Sequence, residues 1–250
     1  MTTPESARIP ALPDESWSRV LCVVAHPDDM EYGASAAVAT WAARGIEVTY
    51  LLLTSGEAGM QAPPEEVGPL RAAEQARACE TVGVRDLVIL EHPDGILMPT
   101  LELRRDIARV IRRVRPDAVV TANFDLEAYG GLNQADHRAA GLATIDAVRD
   151  ADNTWVFREL ADDEGLVKWH TRWILVAGSP TPTYAVPVTD AAVAASVASL
   201  ECHEAYLADL PGHPAPGEFI PEMLRGGGQA AGVEHAVLLR AYDLGPGMRT

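Results

Sequence analysis

Cysteine is scarce in this 250-residue sequence: only Cys22, Cys79 and Cys202 occur, at wide spacings and without a CxxC pair. An odd number of widely separated cysteines argues against a disulfide-rich scaffold and against a thiolate metal site. The residues that stabilise the fold, and those that bind any ligand, are therefore expected to be of other types.

Basic charge is also in short supply. The chain has 20 Lys and Arg against 36 Asp and Glu, which gives a net charge of −16. An acidic surface repels phosphate backbones and anionic lipids, so we expect neither nucleic acid nor a membrane as a partner. No run of 18 apolar residues occurs, and residues 1–18 lack the basic and apolar regions of a signal peptide. These absences predict a cytoplasmic protein.

Apolar residues, by contrast, make up 48% of the chain, enough for a sizeable core. Residues 1–18 are polar, acidic and proline-bearing, and we interpret them as an N-terminal tail. Residues 19–250 are predicted to form a single domain, with a core at 19–151 and a C-terminal extension at 152–250.

Short β-rich apolar runs alternate with helical patterns through residue 150. This order predicts an α/β fold with a mostly parallel, doubly wound, Rossmann-like sheet. The extension is predicted to add three strands and a helix at 191–210, with a Gly- and Pro-rich loop or lid at 211–232. The other predicted segments are strands 19–25, 47–54, 86–90, 118–121, 173–177, 184–188 and 233–242, and helices 33–44, 70–82, 101–115 and 135–151.

The loop after the first strand differs from a phosphate-binding turn. A nucleotide-binding protein would have a glycine-rich turn here, whereas this chain has His26-Pro27-Asp28-Asp29 and then Glu31. Carboxylates repel a pyrophosphate and attract a cation, and His and Asp are both ligands of zinc. The alternative is that Asp28 or Asp29 caps the following helix, which explains either residue but not both together with the histidine.

His137 follows the predicted fourth strand and is the candidate for a further ligand. Strands one and four can be neighbours at the switch point of a doubly wound sheet. His26, Asp29 and His137 would then supply two imidazoles and one carboxylate, which is typical of a catalytic zinc with one open position. Taken by itself, His137 could equally be a surface or capping histidine near a helix start.

Several segments, in order, resemble motifs of the LmbE-like (PIG-L) family of zinc-dependent N-deacetylases. The resemblance extends over about residues 19 to 210 and includes Arg71 and Glu74, spaced R-x-x-E. Its other motifs are Ala25-His26-Pro27-Asp28-Asp29, Thr54-Ser55-Gly56-Glu57-Ala58-Gly59, His92-Pro93-Asp94-Gly95 and Asp136-His137.

The resemblance implies a role for each matching residue. Zinc, or Fe²⁺ as an alternative ion, would be held by His26, Asp29 and His137. Asp28 would be the general base that takes a proton from zinc-bound water, and Asp136 would set the charge near the ligands. The substrate would be contacted by Arg71 and Asp94.

Gln134 stands where the family has the first histidine of its His-x-Asp-His motif. Glutamine can donate a hydrogen bond to an oxyanion but cannot supply a proton. In one interpretation, Asp28 takes the proton from water and also gives it to the leaving amine, while Gln134 stabilises charge. In the other, the chemistry is weakened or altered. At a position where some relatives have a tyrosine, this chain has Leu132. Nearby Tyr129 is a candidate to take over the role of that tyrosine.

The implied reaction is hydrolysis of an N-acyl group, typically N-acetyl, from a small amino sugar or amino-sugar conjugate, as in GlcNAc deacetylases. One alternative is an amidase acting on a larger thiol-type sugar conjugate. Another is a metal-holding binding module with weak turnover. Specificity is expected to depend on the loops 55–68, 124–134 and 211–232. The sequence leaves open whether the chain forms a homo-oligomer, and whether His203 faces the site or the core and His213 belongs to a lid.

Overall fold

A computed structural model describes residues 8–13, 16–128 and 130–245. The strands are β1 Arg19–Val24, β2 Glu47–Leu52, β3 Asp86–Ile89, β4 Ala118–Ala122, β5 Glu127–Ala128, β6 Gly131–Leu132, β7 Trp173–Ala177, β8 Tyr184–Pro187 and β9 Ala236–Asp243. The helices are α1 Asp29–Gly33, α2 Ser35–Ala43, α3 Pro64–Thr81, α4 Leu101–Val114, α5 Ala135–Ala151, α6 Glu159–Asp162, α7 Asp190–Glu201, α8 Glu204–Ala208 and α9 Pro216–Ala231.

Seven strands form one sheet in the order β3-β2-β1-β4-β7-β9-β8. Strands β1, β2, β3, β4 and β7 are parallel to one another, and β9 runs antiparallel between β7 and β8. The mostly parallel α/β sheet predicted from the sequence is thereby confirmed. The three strands of the C-terminal extension continue the same sheet, so core and extension share one hydrogen-bonded framework.

The central strand β1 is buried on both faces. Val20, Cys22 and Val24 pack into one core, and Leu21 and Val23 pack into the other. Helices α2, α7 and α9 contribute to the first core and α4 and α5 to the second. A strand covered on both faces reads as a continuous apolar run, which is why the sequence shows no polar alternation here.

Strand β1 pairs with β2 on one side and with β4 on the other. The chain order reverses at this point, and the loops that leave β1 and β4 therefore open at one edge of the sheet. Ligands of open α/β sheets bind at such a switch point, beyond the carboxyl ends of the strands. The predicted neighbourhood of strands one and four is confirmed.

Three helices have different bounds from those predicted. Helix α3 begins at Pro64 rather than at residue 70, because proline with its fixed φ fits the first turn, and Pro69 is accommodated in the second turn. The predicted helix 33–44 corresponds to α2, which begins only at Ser35, because Ala34 is not helical and separates α2 from the short helix α1 before it. The predicted helix 191–210 is interrupted at His203, whose ψ of 49° is not helical.

The predicted loop or lid at 211–232 is wrong for most of its length, because residues 216–231 form helix α9. Three consecutive glycines make the sequence of this helix look like that of a loop. A Cβ at Gly227 would collide with the carbonyl oxygen of Ala236, and a Cβ at Gly228 with that of Glu234. These glycines are therefore explained by the close approach of α9 to the start of β9, which packing decides and periodicity does not show.

Two further segments are more ordered than predicted. The loop 124–134 contains the small hairpin β5–β6. Part of the interpreted N-terminal tail is attached to the sheet, since Leu12 donates its backbone N–H to Ala185 and Ala185 donates to Pro10. Leu12 and Trp17 are buried in the first core. The tail interpretation is thus wrong for these residues, because an edge strand offers backbone groups that a passing chain can pair with. Among the described residues, no helix has the length and apolar character to cross a bilayer.

The glycines of α9 can be tested with a matched pair of substitutions. Gly227→Ala should lower the free energy of unfolding by about 1–3 kcal/mol, because the new methyl group overpacks against backbone that cannot withdraw. Gly226→Ala should instead raise it by up to about 1 kcal/mol, because Gly226 faces open space and alanine is the better helix former. Urea unfolding of both variants measures the difference, and equal effects would contradict this account.

Candidate metal centre

Asp28 occupies a backbone conformation that residues other than glycine rarely adopt, with φ 88° and ψ −22°. Its N–H donates to the side-chain oxygen of Gln75 at 2.9 Å, and its carbonyl accepts from Glu31 and Tyr32 at the start of α1. The Asp28 side chain makes no capping hydrogen bond to α1, so the capping alternative does not apply to it. Such backbone strain is concentrated at functional sites, where surrounding contacts hold it.

Asp29 lies between the two histidines that the sequence paired with it. Its Oδ1 is 3.1 Å from His137 Nε2, and its Oδ2 is 3.7 Å from His26 Nδ1. The two imidazole rings are 5.2 Å apart between centroids. One ligand atom from each of the three residues lies within 4.8 Å of the others. All three side chains are largely buried, so the fold brings together the donor set that the sequence proposed.

The remaining ring nitrogens of both histidines have partners of their own. His26 Nε2 is 2.9 Å from Asp94 Oδ1 and 3.6 Å from Asp136 Oδ2. His137 Nδ1 is 3.0 Å from the side-chain oxygen of Asn133. Metal-binding histidines characteristically use the second nitrogen in this way, which fixes the ring and the tautomer. The free nitrogens are thereby directed at Asp29, and the residues present fit a divalent ion such as zinc.

A second donor set, His26, Asp94 and Asp136, is also close enough to hold an ion. Its carboxylates are already engaged by backbone amides. Asp136 accepts from Gly95 at 2.7 Å and Leu97 at 3.1 Å, and Asp94 accepts from Ala58 at 2.8 Å. This set is therefore better suited to orienting His26 than to binding the ion.

The buried histidines and carboxylates of the centre shift one another's pKa values. Burial lowers the pKa of His26, but Asp29, Asp136 and Asp94 outweigh burial and raise that pKa well above its usual range. Burial raises the pKa of Asp29, but His137 and His26 outweigh it and hold that pKa far below its usual range. A concentration of carboxylates that attracts protons also attracts a cation, and ion and protons therefore compete for this centre.

The carboxylate of Asp28 is buried beside this set and does not belong to it. Burial raises its pKa, and Arg71 opposes this from 3.3 Å. A raised carboxylate pKa is the adjustment that suits a general base working near neutral pH.

Arg71 and Asp94, predicted to contact the substrate, are placed differently. Arg71 is only 2% exposed and donates to the carbonyl oxygens of Pro27 at 2.7 Å and Gly56 at 3.0 Å. A Cβ at Gly56 would collide with this guanidinium, which explains the glycine of the Thr54–Gly59 motif. Arg71 thus holds two loops together, and Asp94 orients His26. Both are buried beneath the site because strand-end loops need internal donors and acceptors.

Gln134 lies at the N-cap of α5 and is exposed. It stands three residues before His137 and makes no side-chain capping bond to α5. Tyr129, the residue expected to compensate for Leu132, lies outside the described residues. Leu132 itself is 78% exposed on the hairpin.

Three functional residues were not identified from the sequence. Asn133 orients His137, Gln75 holds the strained Asp28 backbone, and Tyr206 has its ring 4.0 Å from Arg71 Cζ. The position of Asn133, four residues before a candidate ligand, was a local signal that could have been used. No local signal in the sequence points to Tyr206, because well over a hundred residues separate it from Arg71, which it contacts.

His203 faces the core, and His213 contacts α1. His203 is fully buried, with Nε2 3.8 Å from Glu31 Oε2, too far for a hydrogen bond. Burial, with Arg71 and Arg77, lowers the pKa of His203 to about 3. His213 Nε2 is 2.7 Å from the Tyr32 hydroxyl, which ties the segment before α9 to α1.

Residues 21–148, about half of the chain, match the model of the PIG-L family, described as GlcNAc-PI de-N-acetylase. The chain belongs to the PIG-L family. The matched range contains every residue of the candidate metal centre and ends within α5.

Two relatives are similar to a little over half of this chain. Diacetylchitobiose deacetylase of Thermococcus kodakarensis is 35% identical over 139 residues, covering 54% of this chain and 51% of that protein. A 1D-myo-inositol 2-acetamido-2-deoxy-alpha-D-glucopyranoside deacetylase of Streptomyces scabiei is 33% identical over 184 residues, covering 57% and 56%. The chain spans about half the length of the curated relatives it matches.

Solved structures extend the likeness of fold to the C-terminal extension. N,N'-diacetylchitobiose deacetylase from Pyrococcus horikoshii superposes with a TM-score of 0.79 at 23% identity, over 92% of this chain and 85% of that one. A 4-carboxy-2-hydroxymuconate hydratase from Pseudomonas putida KT2440 superposes with a TM-score of 0.72 at 19% identity, over 93% and 98%. The same fold therefore hosts different reactions, and it identifies no reaction by itself.

The metal centre predicts the result of replacing its histidines one at a time. His26→Ala and His137→Ala should each lose close to one equivalent of zinc per chain after reconstitution and desalting, because either change removes one of three ligands. Elemental analysis measures the ion. His92→Ala is the matched control, since His92 pairs with Asp106 on the α4 side and should leave zinc content unchanged. Full zinc content in both ligand variants would refute the proposed centre.

Buried His203 predicts a pH-dependent loss of stability. Its pKa is about 3 when folded, against the ordinary value of 6.5, so only the unfolded chain takes up a proton as the pH falls between these values. Stability should therefore decline below pH 6.5, with this residue contributing up to about 1.4 kcal/mol per pH unit. His203→Asn should flatten that slope in urea unfolding from pH 4.5 to 7. Leu200→Val, a buried change without a titrating group, should lower stability at every pH and leave the slope unchanged.

Proposed function

We propose that this protein is a metal-dependent N-deacetylase that removes an acetyl group from a small amino sugar or amino-sugar conjugate. The observation that carries the proposal is the buried set of His26, Asp29 and His137 with a separate carboxylate, Asp28, beside it. Three protein ligands with an adjacent base is the arrangement typical of hydrolytic metal sites. The similarity to deacetylases in the matched range supports this reaction.

The ion would be held by His26, Asp29 and His137. A divalent ion bound there supplies Lewis-acid chemistry, which polarises the acyl carbonyl and makes water a better nucleophile near neutral pH. Zinc fits two imidazoles and a carboxylate, and Fe²⁺ is an alternative for the same donors. Asp94, Asp136 and Asn133 hold the histidine rings in place.

Asp28 is placed to handle the proton. As water attacks the acyl carbon, Asp28 accepts the proton that the water loses. When the C–N bond breaks, the protonated Asp28 can deliver that proton to the departing amine, so the products are acetate and a free amino sugar. Arg71 and Gln75 keep the carboxylate and the strained backbone of Asp28 in place throughout.

Gln134 stabilises negative charge in this scheme. An exposed amide at the start of α5 can donate to the carbonyl oxygen as that oxygen gains charge, and it carries no proton to give away. The absence of a histidine at this position therefore assigns both proton steps to Asp28.

Two segments attached to the centre expose large apolar side chains. The segment after Asp94 presents Ile96 and Met98, 69% and 66% exposed, and the hairpin presents Leu126 and Leu132, 64% and 78% exposed. Both segments are attached to the centre, through Asp136 and Asn133 respectively. Of the three loops expected to set specificity, 55–68 adjoins the centre through the Ala58 amide bonded to Asp94, 124–134 adjoins it through Asn133, and 211–232 is largely helix α9.

A metal-holding module with weak turnover is the second candidate, and Gln134 is the observation that favours it. The experiment that separates the candidates is release of acetate and primary amine from N-acetylglucosamine, diacetylchitobiose and N-acetylglucosaminyl conjugates by the zinc-reconstituted protein. Tight zinc binding without amine release from any of these would support the binding module.

Asp28→Asn tests the proposed base. It should retain zinc and lower kcat by about 10²- to 10⁴-fold, because the amide cannot accept the proton from water. The matched control is Asp106→Asn, which also removes a carboxylate facing a histidine but lies outside the site. A variant that keeps zinc and wild-type kcat would exclude Asp28 as the base.

A further inference from the structure

Another group of metal-ligating side chains lies outside the candidate metal centre. Asp190, Glu234 and His235 each have one ligand atom within 4.8 Å of the others. Asp190 is the first residue of α7, and Glu234 and His235 lie in the short connection between α9 and β9. Strands β4 and β7 separate β1 from β9, so three strand spacings, about 14 Å, lie between the two sites. All three residues lie beyond the matched family range.

His235 distinguishes this group from an ordinary pair of surface carboxylates. Its side chain is only 11% exposed, and within the described part of the chain its buried Nδ1 has no hydrogen-bond partner. Asp190 Oδ1 lies 3.6 Å from this nitrogen, which is too far for a hydrogen bond. Two ligand atoms on one tetrahedral zinc ion are about 3.3–3.5 Å apart, because zinc bonds to nitrogen and oxygen measure about 2.0–2.2 Å. The separation therefore fits an ion between the two atoms better than a direct contact.

The main chain of the connection between α9 and β9 is held from two sides. The N–H of Val188 donates to the carbonyl oxygen of His235 at 3.1 Å, which attaches the connection to the end of β8. The carbonyl group of Glu234 packs against α9, where a Cβ at Gly228 would collide with its oxygen. An ion would thus meet ligands whose backbone is already ordered, and binding would lose less conformational entropy.

Asp190 by itself has a simpler explanation, because a carboxylate in the first turn of a helix interacts favourably with the helix dipole. The N-cap of α7 is Thr189, whose hydroxyl accepts from the N–H of Ala192 at 3.3 Å. The dipole accounts for Asp190 alone and leaves the buried Nδ1 of His235 unexplained. An ion held by both residues explains the two together.

A surface groove of about 430 Å³ between α7 and α9 reaches this group. Water from the groove can complete the coordination of an ion that has three protein ligands. Glu201 and Arg225 also line the groove, so with Asp190 and Glu234 the carboxylates outnumber the guanidinium. The net charge of −16 favours uptake of a cation as well.

We propose that Asp190, Glu234 and His235 form a second zinc site, which joins the start of α7 to the start of β9. An imidazole among the ligands favours zinc over calcium and magnesium, which prefer oxygen ligands alone. Because Asp190 and Glu234 are exposed, the ion exchanges readily and is removed by desalting, unlike an ion in the buried centre. The proposal does not depend on the deacetylase function.

Zinc titration of the metal-free, full-length chain by calorimetry tests the site. The His26→Ala/His137→Ala variant lacks the candidate metal centre and should still bind one zinc ion per chain. Adding Asp190→Asn should weaken this binding by more than about tenfold, because a charged ligand is lost. Asp190 is 87% exposed, so its replacement leaves the fold intact. Adding His170→Ala is the matched control and should leave the affinity unchanged, since both ring nitrogens of His170 are already hydrogen-bonded at 2.8 Å.

Two further measurements keep the test independent of that background. In the otherwise wild-type chain, Asp190→Asn should reduce the number of zinc ions bound from two to one. X-ray absorption at the zinc edge of the His26→Ala/His137→Ala variant should show one imidazole per ion, and His235→Ala should remove that signal. Zinc binding that neither Asp190→Asn nor His235→Ala weakens would be adventitious and would overturn the proposal, as would a wild-type chain that binds only one ion. None of these readouts involves turnover, so they stand whether or not the protein releases acetate.

Discussion

The Asp29 carboxylate between two imidazoles is the interaction on which the rest of the site depends. Asp29 lies 3.1 Å from His137 and 3.7 Å from His26, and all three residues are largely buried. Buried charge is tolerated only when it is paired, so every further residue of the centre serves to direct these groups at one another. Asp94 and Asp136 turn His26 toward Asp29, and Asn133 turns His137.

The carboxylates that orient the histidines are buried as well, so they too need partners, and the backbone supplies these. Asp94 and Asp136 are themselves satisfied by the amides of Ala58, Gly95 and Leu97, which belong to the loops after β2 and β3. Arg71 joins the carbonyl groups of two of the strand-end loops and leaves room only for glycine at position 56. The polar residues and the glycine named in these loops thus have individual physical causes: they donate, accept or allow a close approach around one cluster of charge.

Family membership and fold constrain the function to different degrees. The matched range ends at residue 148, and it contains the proposed ligands, the proposed base and the residues that orient them. The extension beyond it supplies β7, β8 and β9 to the sheet and brings α8 and α9 to the site. A hydratase shares this whole fold at 19% identity, so the reaction has to be argued from the side chains at the strand ends.

The sequence by itself determined the parallel α/β framework, the switch point and the donor set. Buried strands are continuous apolar runs, and the candidate ligands stand directly after strands or at a helix start, where position in the chain translates into position in space. The sequence also placed Arg71 and Asp94 near the site, but it did not show which groups they contact.

Only the tertiary structure decided the orientation of these groups and the role of the last hundred residues. Arg71 was predicted to contact the substrate; it is buried and donates to the backbone carbonyl oxygens of two strand-end loops. Helix α9 was interpreted as a loop, because its sequence has three consecutive glycines, two of which accommodate the backbone at the start of β9. Tyr206 could not be paired with Arg71 from the sequence at all, since the contact joins distant parts of the chain and depends on how α8 packs against α3.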